Sequence, residues 1–236
     1  MQEMLKWISY QFRKALRPTE VQCGSVRLYI GRLARTKYAK AFYKNSHEQF
    51  ERKVIQQHLD PSDRVLEAGS GIGLIATVCC QIVGSENVVT YEANPDMEDL
   101  LRKTFALNGV RPNLQMKMIS EAAGDGVFYQ SDRFIVSSHI KPSESAKSLS
   151  IPSVTFNEAI KIHRPTFVIC DIEGGEVYLS DEAIDLSGVN KLCIEVHPKI
   201  AGNCATSNLI RSLLNKGFTL SLTESESDVL FFQRAA

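Results

Sequence analysis

At 236 residues, 44% hydrophobic and 23% charged, the chain is sized for one well-buried domain with some excess, in the composition of an ordinary soluble globular protein. No apolar run approaches the roughly 18 residues of a membrane span, and Lys6, Arg13 and Lys14 interrupt any secretory signal core. The net charge is zero, yet residues 1–53 hold twelve bases against four acids, so the rest carries the opposite surplus.

Leu5, Ile8, Phe12 and Leu16 recur at helical spacing, which predicts an amphipathic helix over residues 3–16 that ends before Pro18. Residues 19–45 scatter Tyr29, Ile30, Leu33, Tyr38, Phe42 and Tyr43 among bases, with no clear period. Phe50, Val54, Ile55 and Leu59 predict a second helix, and Asp60-Pro61-Ser62-Asp63 a turn. Residues 1–59 therefore read as a helical, basic N-terminal extension packed on a core domain of residues 60–236. Its bases form either a solvated face or a contact for an anionic partner: a phosphorylated substrate, a membrane surface or a nucleic acid.

From residue 60 strands and helices alternate, which argues an α/β fold with a parallel sheet. Strand Arg64–Glu67 precedes helix Ile72–Val83. Strand Asn87–Glu92 precedes a helix with Asn94 as N-cap and Pro95 first, running to Leu107 and stopping at Asn108-Gly109. Met116, Met118 and Ser120 alternate with polar neighbours and predict a third strand. Residues 124–150 are irregular, with short strands at Val127–Gln130 and Phe134–Ser137. Seven serines in 131–150 suit a mobile loop, either a surface insertion or a lid. Thr155 and Glu158 form a capping box. Thr166–Asp171 and Lys191–Val196 are the fourth and fifth strands. A helix over Thr206–Asn215 follows, and Phe218–Leu222 pairs with Asp228–Gln233 as an antiparallel hairpin. The six cysteines form no C-x-x-C and read as small buried residues of a reducing, cytoplasmic protein.

The chemistry gathers at the strand ends, where sheets of this kind bind ligands. The first strand runs into Val65-Leu66-Glu67-Ala68-Gly69-Ser70-Gly71-Ile72-Gly73. A glycine turn between a strand and a helix makes a nucleotide-sized site. Gly71-Ile72-Gly73-Leu74-Ile75-Ala76 with Glu92 beyond fits the dinucleotide pattern of an NAD enzyme. Glu67 argues otherwise: a carboxylate there repels a pyrophosphate and suits a sulfonium cofactor with an ammonium group. Glu92 can accept two hydrogen bonds from a ribose diol. Ser120, Glu121, Ala122 and Ala123, after the third strand, are small enough to admit an adenine. The fourth strand delivers Asp171-Ile172-Glu173-Gly174-Gly175-Glu176, and the fifth Glu195 and His197. Such clustered carboxylates need a cation, a proton or a hydroxyl to serve.

Glu67-x-Gly69-x-Gly71-x-Gly73, Glu92-x-Asn94-Pro95, Ala122-Ala123-Gly124-Asp125, Asp171-Ile172-Glu173-Gly174-Gly175-Glu176 and Glu195-Val196-His197-Pro198 resemble the FkbM-type methyltransferases, over roughly residues 50–200 and in the family's order. That family has Asp at the first acid and often G-A-N-x-G after it; Glu67 and Gly69-Ser70-Gly71 depart from this. The resemblance implies a Rossmann-like, seven-stranded class I methyltransferase sheet, mostly parallel and closed by the C-terminal hairpin. It implies S-adenosylmethionine (SAM) as cofactor, bound by Glu67, Ala68, Gly69, Ser70, Gly71, Gly73, Glu92, Ala93, Asn94, Glu121, Ala122 and Asp171. The acceptor it implies is a hydroxyl on a small molecule or glycan, with Asp171, Glu173 and His197 as catalytic residues. Asp171, Glu173 and Glu195 could also hold Mg²⁺. Rival readings are a nucleic-acid or protein methyltransferase, an NAD-linked oxidoreductase, or an inactive scaffold.

Overall fold

The computed structural model describes residues 2–130 and 147–234. The predicted strand at Phe134–Ser137 and most of the serine-rich loop lie outside them. Helix α1 (Gln2–Leu16) forms as expected. Its apolar stripe, however, faces outward: Met4, Trp7, Ile8, Phe12 and Leu16 are all exposed.

Residues 19–45 contain a hairpin that the sequence reading does not find. β1 (Glu20–Cys23) and β2 (Val26–Tyr29) pair antiparallel, with Gly24 in the turn. Their pattern has period two: Val21, Cys23, Val26 and Leu28 are buried while Glu20, Gln22 and Arg27 are exposed. The extension is thus mixed rather than helical, with α2 (Ala39–Lys44) and α3 (Gln49–His58) completing it. Its apolar residues share one core with the sheet.

The central sheet is built from β3 (Val65–Ala68), β4 (Val88–Tyr91), β5 (Asn113–Gln115), β9 (Phe167–Cys170), β10 (Lys191–Glu195), β11 (Phe218–Leu220) and β12 (Val229–Arg234). Their order is β11-β12-β10-β9-β3-β4-β5. β12 inserts between β10 and β11 and runs antiparallel to both; the other recorded pairings are parallel. β3, β4 and β9 are buried along their whole length, as strands covered on both faces must be. The covering helices include α4 (Leu74–Val83), α5 (Glu98–Asn108), α6 (Phe156–His163) and α8 (Asn203–Asn215), with a short α7 (Pro198–Ala201) before α8. The capping box opening α6 is complete, with Thr155 N–H donating to Glu158 at 3.0 Å and Glu158 N–H to Thr155 at 3.1 Å.

One strand is placed differently from its prediction. The third central strand is Asn113–Gln115, and Met118–Ile119 forms β6 in a separate three-stranded sheet with β7 (Gly124–Gln130) and β8 (Lys147–Val154). Lys117 N–H bonds back to Gln115 O at 2.9 Å, and this turn breaks the expected alternation. Strand order reverses between β3 and β9, so the crevice for a ligand lies at the carboxyl ends of β3, β4 and β9. Among the described residues no helix is long and apolar enough to cross a membrane.

Candidate functional site

A cavity of about 410 Å³ opens at those strand ends, within the size range of small-molecule and cofactor sites. The glycine loop forms part of its wall. Gly69 N–H and Ser70 N–H donate to Tyr91 O at 2.9 and 3.1 Å, which ties the loop to the tip of β4. Gly69 sits at φ +92°, and a Cβ there would stand 1.8 Å from Asp171 O. Only glycine lets the β3 and β9 tips close to this distance. Gly71 has φ +54°, and the nearest atom to a Cβ there would be Glu48 Oε1 at 3.6 Å. Its open side belongs to the cavity, which Gly69, Gly71 and Ile72 line.

Glu67, Ala68, Ser70 and Gly73 are close by but do not line the cavity. Glu67 is 1% exposed and turns under the loop, where it accepts a hydrogen bond from Thr90 Oγ1, which also bonds Ser70 Oγ. Burial pushes its pKa up to about 8, despite the Thr90 bond that pulls the other way. The expected meeting of Glu67 with a cofactor ammonium is therefore not what the structure builds. Glu67 is a protonated, internal brace. Its folded pKa exceeds the unfolded one, so folding takes up a proton and stability falls as pH rises from about 4.5 through about 8. Glu67→Gln is expected to flatten that decline in urea titrations across this window while leaving ligand binding intact.

Glu92, at the tip of β4, does face the cavity. Its Oε2 accepts from Gly71 N–H at 2.9 Å and its Oε1 from Asn94 N–H at 2.7 Å. The carboxylate faces the cavity with acceptor capacity beyond these two bonds. Burial raises its pKa to about 7, with the bonds from Asn94, Gly71 and Ser70 opposing. Ala93 and Asn94 line the same wall. Glu121 and Ala122 are exposed and stand away from it; Lys117, Met118, Ile119 and Phe128 take the place assigned to them. The misplaced third strand accounts for this shift, since β6 rather than β5 delivers the side chains beside Glu92.

Asp171, Glu173 and Glu195 also line the cavity, and His197 contacts all three. His197 Nε2 lies 3.6 Å from Asp171 Oδ1, 3.6 Å from Glu173 Oε2 and 3.9 Å from Glu195 Oε1. Fully buried Glu176 fixes the turn: it accepts from His197 N–H at 2.7 Å and Gly174 N–H at 2.8 Å. Burial alone would lower the His197 pKa, but Glu176, 3.5 Å from Nδ1, and the charges of Asp171 and Glu173 carry it up to about 9. At neutral pH it is an imidazolium with no lone pair to give, so it does not suit the base role expected of it. Burial raises Asp171 to about 8, against the pull of His197. Burial also raises Glu195 to about 7. Among the described residues, the group with metal-ligand spacing is Asp171, Glu195 and His197, all donor atoms lying within 4.8 Å of one another. The set adds an imidazole nitrogen to two carboxylates and leaves out Glu173, so it is not the all-oxygen group of Asp171, Glu173 and Glu195 expected for Mg²⁺. The carboxyls converge on Nε2 of His197, so the imidazolium stands where a cation would.

No family model matches this chain, and no curated protein matches it. Solved structures with a similar outline include M. jannaschii TYW2 in complex with AdoMet, at 14% identity and TM-score 0.47, covering 92% of this chain and 88% of that one. A ribosomal protein L11 methylase from Lactobacillus delbrueckii subsp. bulgaricus gives 14% identity and TM-score 0.47, with 80% of each chain covered. A tRNA m1G37 methyltransferase from M. jannaschii gives 14% identity and TM-score 0.46 over 91% of this chain, which spans 54% of that protein's length.

The third wall comes from residues that the sequence reading left out. Ala41, Phe42, His47, Glu48, Phe50 and Glu51 of the N-terminal extension all line the cavity. Glu51 is buried, with its carboxyl beside that of Glu195. Burial and the Glu48 charge push Glu51 up to about 8, so this carboxyl pair shares a proton at neutral pH. A signal was present: of the four acids in residues 1–53, two are Glu48 and Glu51.

Proposed function

We propose that this protein is a SAM-dependent methyltransferase of the FkbM type that methylates a hydroxyl of a small molecule or glycan. One observation carries the reading. A single cavity has the open glycine loop and Glu92 on one wall, and carboxyl groups poised near neutral pKa on another. Glu92 faces the cavity as an acceptor for a ribose diol. Lys117, Met118, Ile119 and Phe128 frame a slot for the adenine. Glu48 against Gly71 opposes a pyrophosphate, which supports SAM over NAD.

The residues divide the work as follows. The walls would hold the acceptor hydroxyl against the methyl group, a large contribution to such a transfer. The acceptor oxygen bonds to the methyl carbon as the carbon–sulfur bond breaks, leaving a neutral thioether. Asp171 takes the hydroxyl proton, its pKa near the working pH being what a base needs. His197 keeps the carboxyl cluster ionisable and positions Asp171. The surplus of positive charge over residues 1–53 supports one alternative, an anionic macromolecular acceptor. Seven carboxyl groups line the cavity against one lysine and one histidine, which opposes a phosphate at the reacting centre. Asp171→Asn tests the role of the base. It is expected to lower kcat by roughly 10²–10⁴-fold with little change in SAM affinity. Unchanged turnover would move the base elsewhere.

A further inference from the structure

We infer that Glu48, from the N-terminal extension, binds the ammonium group at the aminoacyl end of the methyl donor, in place of Glu67; this rests on the donor reading above.

The ammonium at that end of the donor calls for an acceptor, best an anionic one, and Glu67 is buried and bonded to Thr90. Glu48 fills the position from the other side. Its Oε1 stands 3.6 Å from where a Cβ on Gly71 would be, against the open face of the loop. The same oxygen lies 3.1 Å from His47 Nε2, which orients the carboxylate. Its Oε2 is buried and has no hydrogen-bond partner among the described residues, and the residue lines the cavity. A buried carboxylate oxygen without a donor is costly unless something supplies one. An ammonium has three N–H donors and the complementary charge.

The backbone is arranged to hold Glu48 there. Glu48 has φ +47° and ψ +39°, a conformation rare outside glycine and asparagine. Such strain persists where surrounding contacts over-determine it, and it gathers at functional sites. Arg52 supplies the contacts. Its Nη1 donates to Asn45 Oδ1 at 3.1 Å, its Nη2 to Asn45 O at 2.9 Å and its Nε to Glu48 O at 3.3 Å. The clamp fixes the bend at 45–48, and the bend aims the carboxylate at the loop. The extension thus completes the donor site instead of merely covering the sheet.

Two ligands separate this proposal from the reading it rests on. S-adenosylhomocysteine carries the aminoacyl end; 5′-methylthioadenosine has the same adenosine and sulfur without it. Calorimetry on the full chain should give E48Q a tenfold to hundredfold weaker affinity for S-adenosylhomocysteine, about one charge-assisted hydrogen bond. Its affinity for 5′-methylthioadenosine should stay at the wild-type value. Equal losses for both ligands, or no loss for either, would overturn the assignment. Wild-type protein that binds neither would remove the donor reading itself. If E48Q does not fold, deaminated S-adenosylhomocysteine on wild-type protein decides: the same drop supports the role of Glu48, and undiminished affinity refutes it.

Discussion

Gly69→Ala is expected to destabilise the fold by about 4 kcal/mol, combining left-handed strain with forced repacking. The methyl would lie 1.8 Å from the carbonyl oxygen of Asp171, a backbone atom that cannot rotate away. Asp171 is itself held, its N–H donating to Ala68 O at 2.8 Å. The β3 and β9 tips would have to part at the point where the crevice forms. For a chain this size the melting temperature should fall by roughly 10 °C. Gly109→Ala is the control. Gly109 also has positive φ, +66°, but nothing lies within 4 Å of a Cβ there. It should cost only about 1 kcal/mol. Equal urea midpoints for the two variants would mean that the close approach at Gly69 contributes nothing.

Glu92→Ala should weaken SAM binding by at least about 100-fold, the loss of two charge-assisted hydrogen bonds to a diol. Part of the effect comes through the loop, because Gly71 N–H and Asn94 N–H both lose their acceptor. Glu92→Gln separates the two contributions. It keeps the shape and one good acceptor, so its loss should be nearer tenfold. A folded Glu92→Ala protein with wild-type SAM affinity would contradict the place given to the ribose.

The core of the fold was legible because it rests on local rules. The strand, glycine turn and helix at residues 65–83, the Asn94 cap and the Thr155–Glu158 box all declare themselves within a few residues. The hairpin at Glu20–Tyr29 did not. Its strands are four residues each, and its outer edge is satisfied by distant side chains: Arg27 N–H donates to Asn108 Oδ1 at 3.0 Å and Tyr29 N–H to Thr104 Oγ1 at 3.1 Å. No window of sequence contains that pairing. Met118 was misplaced for a related reason, since alternation fits either sheet and only pairing with β8 decides.

The site divides in the same way. Glu92, Gly71, Asp171 and Glu195 stand where strand ends must put them. Glu67 sits at a strand end too, but whether its side chain points into the cavity or under the loop depends on Thr90, a neighbour across the sheet. Glu48 and Glu51 reach the cavity only because α3 packs on the sheet, a tertiary fact with no local motif. What could be read was their rarity as acids in a basic segment.

The proposed function requires that this cavity receive a methyl donor. Titration of the wild-type chain with S-adenosylhomocysteine, beside NAD, tests it most directly. Saturable one-to-one binding of the first at micromolar concentration, with no heat from the second, is the expected result. A correctly folded protein that takes up NAD, or that ignores S-adenosylhomocysteine at millimolar concentration, would contradict it.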